Sequence, residues 1–138
     1  MGNALGIDYG RRRMGLSFAD ELGVAMPLNA VPGMEEPRCF EALAEVVRER
    51  KPDLFVVGYP LNMDGSVGSR AREVDAFAAE LEQRFALPVE KVDERLTTYQ
   101  AESDLRQTRR RRRKNRGELD SSAAALILRD YLESQQET

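Results

Sequence analysis

Short apolar runs and longer amphipathic stretches alternate along this chain, and they predict its strands and helices. Three apolar runs near the N-terminus predict strands at about 4–8, 14–19 and 24–31. Pro27 has no backbone donor, so the third strand is expected at an edge of its sheet. The run at 54–58 is apolar without alternation, which indicates a strand buried on both faces. A fifth strand is predicted at 88–93.

Helical periodicity appears between and after the later strands. A stripe of apolar residues predicts a helix over about 37–50, with Pro37 at its first position. A loop rich in turn residues at 60–68 leads into a long helix over about 69–85. Thr97 and Gln100 form a capping-box signal for a helix over about 98–108, and a last helix is predicted over about 119–133.

The order of these elements predicts the fold class. Three strands joined by short turns, followed by alternating helices and strands, predict an α/β protein. Its mixed five-stranded sheet is antiparallel in the first half and parallel in the additions, with helices on both faces. The length of 138 residues predicts one domain, over 1–138.

Composition limits the chemistry and the surroundings of the protein. No apolar run approaches eighteen residues, and the N-terminus lacks a secretory signal, so neither a membrane span nor export is expected. Cys39 is the only cysteine, which suits a reducing cytoplasm. The chain contains no histidine, which excludes histidine-based zinc sites and histidine general bases. Any metal would therefore be held by oxygen.

Positive charge is concentrated in one segment, although the net charge of the chain is −3. Residues 106–116 carry eight positive charges and no acid, which leaves −11 for the rest of the chain. A basic patch on an acidic body is typical of a protein that binds a polyanion. Few aromatic residues lie near it, so recognition of backbone and shape is expected, as for structured RNA or branched DNA.

A small set of carboxylates lies where a metal site is expected. Asp8 ends the first strand, Asp93 and Glu94 end the fifth, and Asp120 opens the last helix. Ligands gather beyond the carboxyl ends of parallel strands, and carboxylate oxygens are preferred by Mg²⁺ and Mn²⁺. Each acid also has a structural alternative: Asp8 in an Asx turn, and Asp120 as a helix N-cap. Asp93 and Glu94 would face opposite sides of a strand, so one of them is expected to reach the site.

Four motifs in succession resemble the YqgF (RuvX) family of small bacterial proteins. They are LGIDYG at 5–10, GYPLNMDGS at 58–66, DERLTT at 93–98 and DSSAA at 120–124. The resemblance covers essentially the whole chain. It implies a ribonuclease-H-like fold with the first strand in the middle of the sheet. It also implies a nuclease that matures the 5′ end of precursor 16S ribosomal RNA.

The resemblance assigns catalytic and metal-binding roles to Asp8, Glu94 and Asp120, with Asp93 in reserve and Mg²⁺ or Mn²⁺ as the cofactor. The chain departs from the pattern in three places. Tyr59 stands where a smaller apolar residue is expected, and the basic run at 106–116 is denser than the family requires. The fourth strand also ends without the acid that resolvase relatives carry there. Glu94 would then have to reach across from the fifth strand.

Several cations are predicted to bind nucleic acid. Arg11, Arg12 and Arg13 lie in the turn beside Asp8, where they would contact phosphate or form a solvated hairpin tip. Arg95 follows Glu94 and would hold a phosphate or form a structural ion pair. The basic segment contributes Arg109, Arg110, Arg111, Arg112, Arg113 and Lys114.

The resulting hypothesis is a cytoplasmic, metal-dependent nuclease that acts on structured RNA, with precursor ribosomal RNA as the main candidate. A Holliday-junction resolvase acting on branched DNA is the enzymatic alternative, and it would require a homodimer rather than a monomer. A non-catalytic nucleic-acid-binding factor is a second alternative. A third treats the segment 6–10 as the phosphate loop of an actin-like or sugar-kinase-like ATPase, although such proteins use two lobes.

Overall fold

The computed structural model describes residues 2–94 and 121–136. In this part of the chain the strands are β1 (Ala4–Asp8), β2 (Arg13–Ala19), β3 (Met26–Pro32), β4 (Leu54–Tyr59) and β5 (Val89–Asp93). The helices are α1 (Cys39–Arg50), α2 (Ser69–Phe85) and α3 (Ser122–Gln136). The predicted helix over 98–108 and the basic segment 106–116 lie outside the described residues.

The strands form one mixed sheet in the order β3-β2-β1-β4-β5. β1 pairs antiparallel with β2 and parallel with β4, while β3 and β5 form the two edges. This order confirms the predicted mixed sheet with its first strand in the middle. It also confirms the edge position that Pro27 predicts for β3, because Pro27 cannot supply a ladder hydrogen bond.

The two faces of the sheet bury different sets of side chains. Leu5 and Ile7 of β1 face one side, where they pack with Phe55 of β4 and with residues of α1 and α2 such as Leu43 and Phe77. On the other side Ala4 and Val56 pack with Ile127, Leu128 and their neighbours on α3. Successive strand residues point to opposite faces, so both faces of the central strands are buried.

Small residues and two hydrogen bonds hold α3 close to the sheet. Ser17 donates from Oγ to the carbonyl of Ala124 at 2.7 Å, and the backbone N–H of Leu16 donates to Ser121 Oγ at 3.0 Å. The Leu16 bond lies next to an irregularity in the pairing of β2 with β3, between Met14 and Leu16. These contacts fix the beginning of α3 against β2, one strand away from the end of β1.

The structure corrects the predicted beginnings of two helices. The last helix begins at Ser122 rather than at about 119 and continues to Gln136. The carbonyl of Ser121 accepts a helical bond from Ala125 N at 3.1 Å, so Ser121 occupies the N-cap position. Pro37 precedes α1 by two residues, because a turn closed by Cys39 N and Glu36 O comes before the helix.

None of the helices within the described ranges is long and apolar enough to cross a membrane.

Candidate active site

The parallel strands β1, β4 and β5 have their carboxyl ends at the same end of the sheet, and two of the predicted acids lie there. Asp8 is the last residue of β1, and Glu94 directly follows β5. Asp8 is paired with Gly15 of β2, and Ile7 directly before it is paired with both β2 and β4. A carboxylate on a central strand is thereby fixed in position, as a metal or catalytic site requires.

Glu94 reaches the middle of this edge by lying over Gly58, near the end of β4. A Cβ built on Gly58 would come within 2.2 Å of Glu94 Oε1 and 2.6 Å of Ile127 Cδ1. The Glu94 backbone is tied to the same strand, because its N–H donates to the carbonyl of Tyr59 at 3.1 Å. The missing acid at the end of β4 is therefore explained: a glycine there leaves the space that the Glu94 carboxylate occupies.

The pleat of β5 decides which of the two neighbouring acids faces Asp8. Val92 is buried in the cluster on the α3 face, and residues two apart on a strand share a face. Glu94 follows Val92 at that spacing and contacts the space above Gly58 on the α3 side. The Glu94 carboxylate therefore lies over β4 on the α3 side of the sheet, where Gly58 leaves space for it.

The carboxylates of Asp8 and Glu94 repel each other in a poorly solvated space. Burial raises the pKa of Glu94 from 4.5 to about 7, and the negative charge of Asp8 adds to the increase. Arg70 opposes this shift, while Asp93 contributes to it. A divalent cation held by both oxygens would relieve the repulsion, so the donor set fits Mg²⁺ or Mn²⁺.

A network around Tyr9 fixes the chain directly after Asp8. The Tyr9 ring packs on Phe77 with centroids 5.2 Å apart, and its hydroxyl donates to Glu73 Oε1 at 3.1 Å. Arg11 donates to both carboxylate oxygens of Glu73, at 3.0 and 2.6 Å. The Arg11 guanidinium lowers the pKa of Glu73, so the pair remains charged at neutral pH. Arg11, predicted as a phosphate contact, anchors the hairpin to α2 in this structure.

Arg70, in the first turn of α2, is a cation that acts on Glu94. Its Nη2 donates to the carbonyl of Tyr9 at 3.2 Å, and its guanidinium lies 5.8 Å from the centre of the Tyr9 ring. It also lowers the pKa of Glu94, which requires that the two side chains be near each other. Sequence reasoning missed Arg70. The sequence could have indicated Arg70 by its position. It falls in the first turn of the helix that follows β4, and such a turn lies at the carboxyl ends of the parallel strands.

The remaining predicted residues divide into two groups. Arg12 and Arg13 are exposed and line a groove beside the β1–β2 turn. The others lie outside the described residues, and they are Arg95, Arg109, Arg110, Arg111, Arg112, Arg113, Lys114 and Asp120. Within residues 2–94 and 121–136 no three metal-ligating side chains come together.

The beginning of α3 lies beside Asp8. Gly15 pairs with Asp8 across β1 and β2, and a Cβ built on Gly15 would lie 3.5 Å from Asp8 Cβ and 3.4 Å from Ser121 Cα. Ser121 follows Asp120 in the sequence. Ser121, the described residue nearest in sequence to Asp120, is therefore close to Asp8.

Tyr59, which departs from the family pattern, points away from this site. Its hydroxyl donates to Asp75 Oδ2 on α2 at 2.9 Å, and Lys91 Nζ lies 5.1 Å from the centre of its ring. The tyrosine therefore links β4, α2 and β5 on the face opposite Glu94. The departure leaves the space around the two acids unchanged.

Comparison with known proteins establishes the family. The family model described as "RuvX: Holliday junction resolvase" matches residues 2–134. The chain belongs to the RuvX family. It is an enzyme of the nuclease class, a hydrolase that acts on phosphodiester bonds.

Curated relatives of this RuvX protein match over nearly their whole length. A protein from Opitutus terrae is 47% identical over 130 residues, which cover 94% of this chain and 90% of the relative. One from Anaeromyxobacter sp. is 45% identical over 130 residues, with coverage of 94% and 95%. Both carry the name "Putative pre-16S rRNA nuclease".

Solved structures show the fold that the RuvX resemblance implied. RuvC of Thermus thermophilus, solved in complex with a Holliday junction substrate, aligns with a TM-score of 0.59 over 97% of this chain and 96% of its own. A second T. thermophilus RuvC structure has the same TM-score. The sequence identities are 17% and 15%, so these likenesses establish the ribonuclease-H-like fold alone.

Proposed function

We propose that this chain is a metal-dependent nuclease of structured RNA that matures the 5′ end of precursor 16S ribosomal RNA, with residues 1–138 as one nuclease domain. The observation that carries the proposal is the convergence of Asp8 and Glu94 at the carboxyl edge of the sheet. Burial raises the pKa of Glu94 to about 7, and the negative charge of Asp8 adds to the increase, so placing these two acids together is costly unless the site uses them. The names of the curated relatives support the RNA substrate.

In this proposal the acids divide the work of binding metal and preparing water. Asp8 and Glu94, with Asp120 as the third ligand, hold Mg²⁺ or Mn²⁺. A bound divalent ion supplies positive charge that stabilises the negative charge developing on the phosphate. Glu94 would either bind this metal or orient the attacking water.

Arg70 is proposed to bind a non-bridging oxygen of the reacting phosphate or of its neighbour. Its guanidinium is placed next to Glu94 by the bond to the Tyr9 carbonyl. Arg11 is less available for this role, because Glu73 binds its guanidinium through both oxygens. Arg95, Arg109–Arg113 and Lys114 are proposed to contact more distant phosphates, which would make binding strongly dependent on salt.

The deciding experiment compares two labelled substrates, a precursor-rRNA 5′ leader and a four-way DNA junction, each with Mg²⁺, Mn²⁺ or EDTA. The variants are Asp8→Asn, Glu94→Gln and Asp120→Asn. Asp20→Asn is the matched control, since Asp20 is exposed beyond the far end of β2. We expect metal-dependent cleavage of the RNA by the wild type and the control, and its loss in the other three variants.

The family model's description favours one alternative, a Holliday-junction resolvase. Metal-dependent cleavage of the junction in preference to the leader would replace the RNA substrate with branched DNA, and a dimer would then be expected. If neither substrate is cut while all four variants retain salt-sensitive binding, the chain is a binding factor. That result would remove the catalytic role proposed for the acids.

A further inference from the structure

A groove beside the β1–β2 turn combines an apolar floor with a cationic rim. Residues Ala30, Val31 and Pro32 of β3, with Pro37 before α1, form its apolar lining. Arg12, Arg13 and Arg38 line it as well, together with Glu36. Its volume of about 510 Å³ falls within the range of pockets that hold small ligands or single residues of a polymer.

Backbone hydrogen bonds make the wall of this groove rigid. Gly33 N donates to Arg12 O at 2.7 Å, Met34 N to Gly10 O at 3.0 Å, and Glu35 N to Arg11 O at 2.8 Å. The segment after β3 is thereby joined to the turn after β1. A Cβ built on Gly33 would lie 2.5 Å from the carbonyl oxygen of Gly10, so glycine is required for this close approach. The groove is consequently formed before any ligand arrives.

The arginines of the groove differ from Arg11 in the charges around them. Across the described residues, Arg12 and Arg13 make no ion pair with a carboxylate, whereas Arg11 is held by Glu73. Arg38 forms an ion pair with the exposed Glu41 in the first helical turn, at 3.5 Å. Their positive charge is thus available to a polyanion.

The groove adjoins the active site on the same strand. Arg13 and Gly15 lie two apart on β2 and share a face, and Gly15 is paired with Asp8. The distance along β2 between them is about 7 Å at the usual rise per residue. A strand of nucleic acid that crosses this end of β2 can therefore pass both the acids and the groove.

We propose that this groove binds one unpaired nucleotide of the RNA strand that is cleaved at Asp8 and Glu94, an inference that rests on the proposed function. The apolar lining suits the faces of a base, and arginine side chains suit both stacking and phosphate binding. Glu36 would repel a bare phosphate within the groove, but its carboxylate can accept a hydrogen bond from the amino group of a base. An unpaired base can turn into the groove, whereas a paired base is held in its helix, so the enzyme would select a site where the strand is single.

The test measures binding in EDTA, where no cleavage occurs, by the full-length chain. One probe is an RNA hairpin with a single-stranded 5′ extension that carries 2-aminopurine at one position at a time. The second probe is the same hairpin with a blunt end. Anisotropy gives the dissociation constant of each RNA, and 2-aminopurine fluorescence reports whether a base leaves the stack and enters a pocket.

Two variants address the groove in different ways. Arg12→Ala/Arg38→Ala removes charge from its rim, and Ala30→Phe fills its floor without a change of charge. The control, Arg48→Ala/Arg50→Ala, removes two arginines at the far end of α1, where the Arg50 carbonyl contacts Asn3 at the start of β1. Melting temperatures establish whether each variant is folded. If Ala30→Phe does not fold, the double variant Arg12→Ala/Arg38→Ala provides the test.

We expect the groove variants to weaken binding of the extended hairpin by about tenfold, with a much smaller effect on the blunt hairpin. We also expect Ala30→Phe to remove a fluorescence change that the wild type shows at one or two adjacent positions. Equal weakening of both RNAs, or an unchanged fluorescence pattern in Ala30→Phe, would overturn the proposal. If the protein binds the extended hairpin selectively but does not cleave it in Mg²⁺, the proposed nuclease function is refuted and the groove remains a nucleotide-binding site. If the protein cleaves RNA and the groove variants do not affect cleavage, the nuclease function stands and the role of the groove is refuted.

Discussion

The carboxylate of Glu94 occupies the space above the α-carbon of Gly58, where any side chain would displace it. A Cβ on Gly58 would lie 2.2 Å from Glu94 Oε1. This relationship lets an acid from an edge strand serve a site at the centre of the sheet. The position of the Glu94 carboxylate therefore depends on Gly58, a residue that has no side chain to take part in the reaction.

Gly58→Ala is expected to lower the cleavage rate about a hundredfold, because displacement of a reacting group by about 1 Å has effects of that size. The two groups that the new methyl meets, Glu94 Oε1 and Ile127 Cδ1, are the ends of side chains that can rotate. The fold should therefore survive, with a loss of about 1 kcal/mol in unfolding free energy. Cleavage kinetics and urea unfolding measure the two effects.

The matched control is Gly15→Ala, on the strand paired with Asp8. Among the described residues outside its own chain neighbours, the atom nearest to its new Cβ is Ser121 Cα at 3.4 Å, which is ordinary contact. This variant should retain activity within a few fold. Equal loss of activity in both alanine variants would show that the site is sensitive to any added methyl, rather than to the displacement of Glu94.

Glu94→Gln is expected to stabilise the metal-free protein at high pH but not at low pH. The folded-state pKa of Glu94 is raised to about 7, mainly by burial and then by Asp8. The folded protein therefore binds a proton more tightly than the unfolded chain, and wild-type stability falls as the pH rises from about 4.5 to 7. Glutamine at this position does not ionise, so the variant avoids this loss of unfolding free energy, which reaches about 3 kcal/mol above pH 7.

Urea unfolding in EDTA at pH 4.5 and pH 8 tests this expectation. Glu45→Gln, an exposed substitution on α1, is the control and should shift both curves equally. If Glu94→Gln gave the same change at both pH values, the ionisation of Glu94 would not be linked to folding, and the increase in its pKa by burial and by Asp8 would be refuted.

Arg70→Ala is expected to reduce kcat/KM by about one to two orders of magnitude, since a lost charged donor to phosphate has effects of this size. Arg70→Lys should recover part of the loss, because it restores the charge without the planar pair of donors. The comparison variant is Arg72→Ala, whose guanidinium donates to the carbonyl of Val67 at 3.4 Å in the same region of α2. Similar kinetics for Arg70→Ala and Arg72→Ala would remove Arg70 from the substrate site.

Ser121→Ala is expected to destabilise the protein by about 1–3 kcal/mol, because the buried N–H of Leu16 would lose its acceptor. Ser134→Ala should cost much less, since the hydroxyl of Ser134 bonds to the carbonyl of Tyr131 on the exposed part of the same helix. Thermal unfolding of the two variants provides the comparison. A small and equal effect would mean that water replaces the Ser121 hydroxyl at the start of α3.

Much of the fold was predictable because it depends on local pattern. The periods of apolar residues located β1, β4 and α2 to within a residue, and Pro27 indicated an edge strand for a reason internal to that residue. The beginnings of α1 and α3 were less well predicted. Pro37 lies in a turn before its helix, and Ser121 takes the N-cap position beside β2, so both boundaries depend on tertiary contacts.

The amino-acid sequence by itself determined the order and type of these elements, the two acids at the ends of β1 and β5, and the exclusion of histidine chemistry. Only the tertiary structure decided that Glu94 rather than Asp93 lies over Gly58, that Arg11 binds Glu73, and that Arg70 acts on Glu94. The physical reason is distance along the chain. Periodicity reports which way a residue faces within its own element, whereas the meeting of β1, β5 and α2 depends on how the whole sheet pairs and packs.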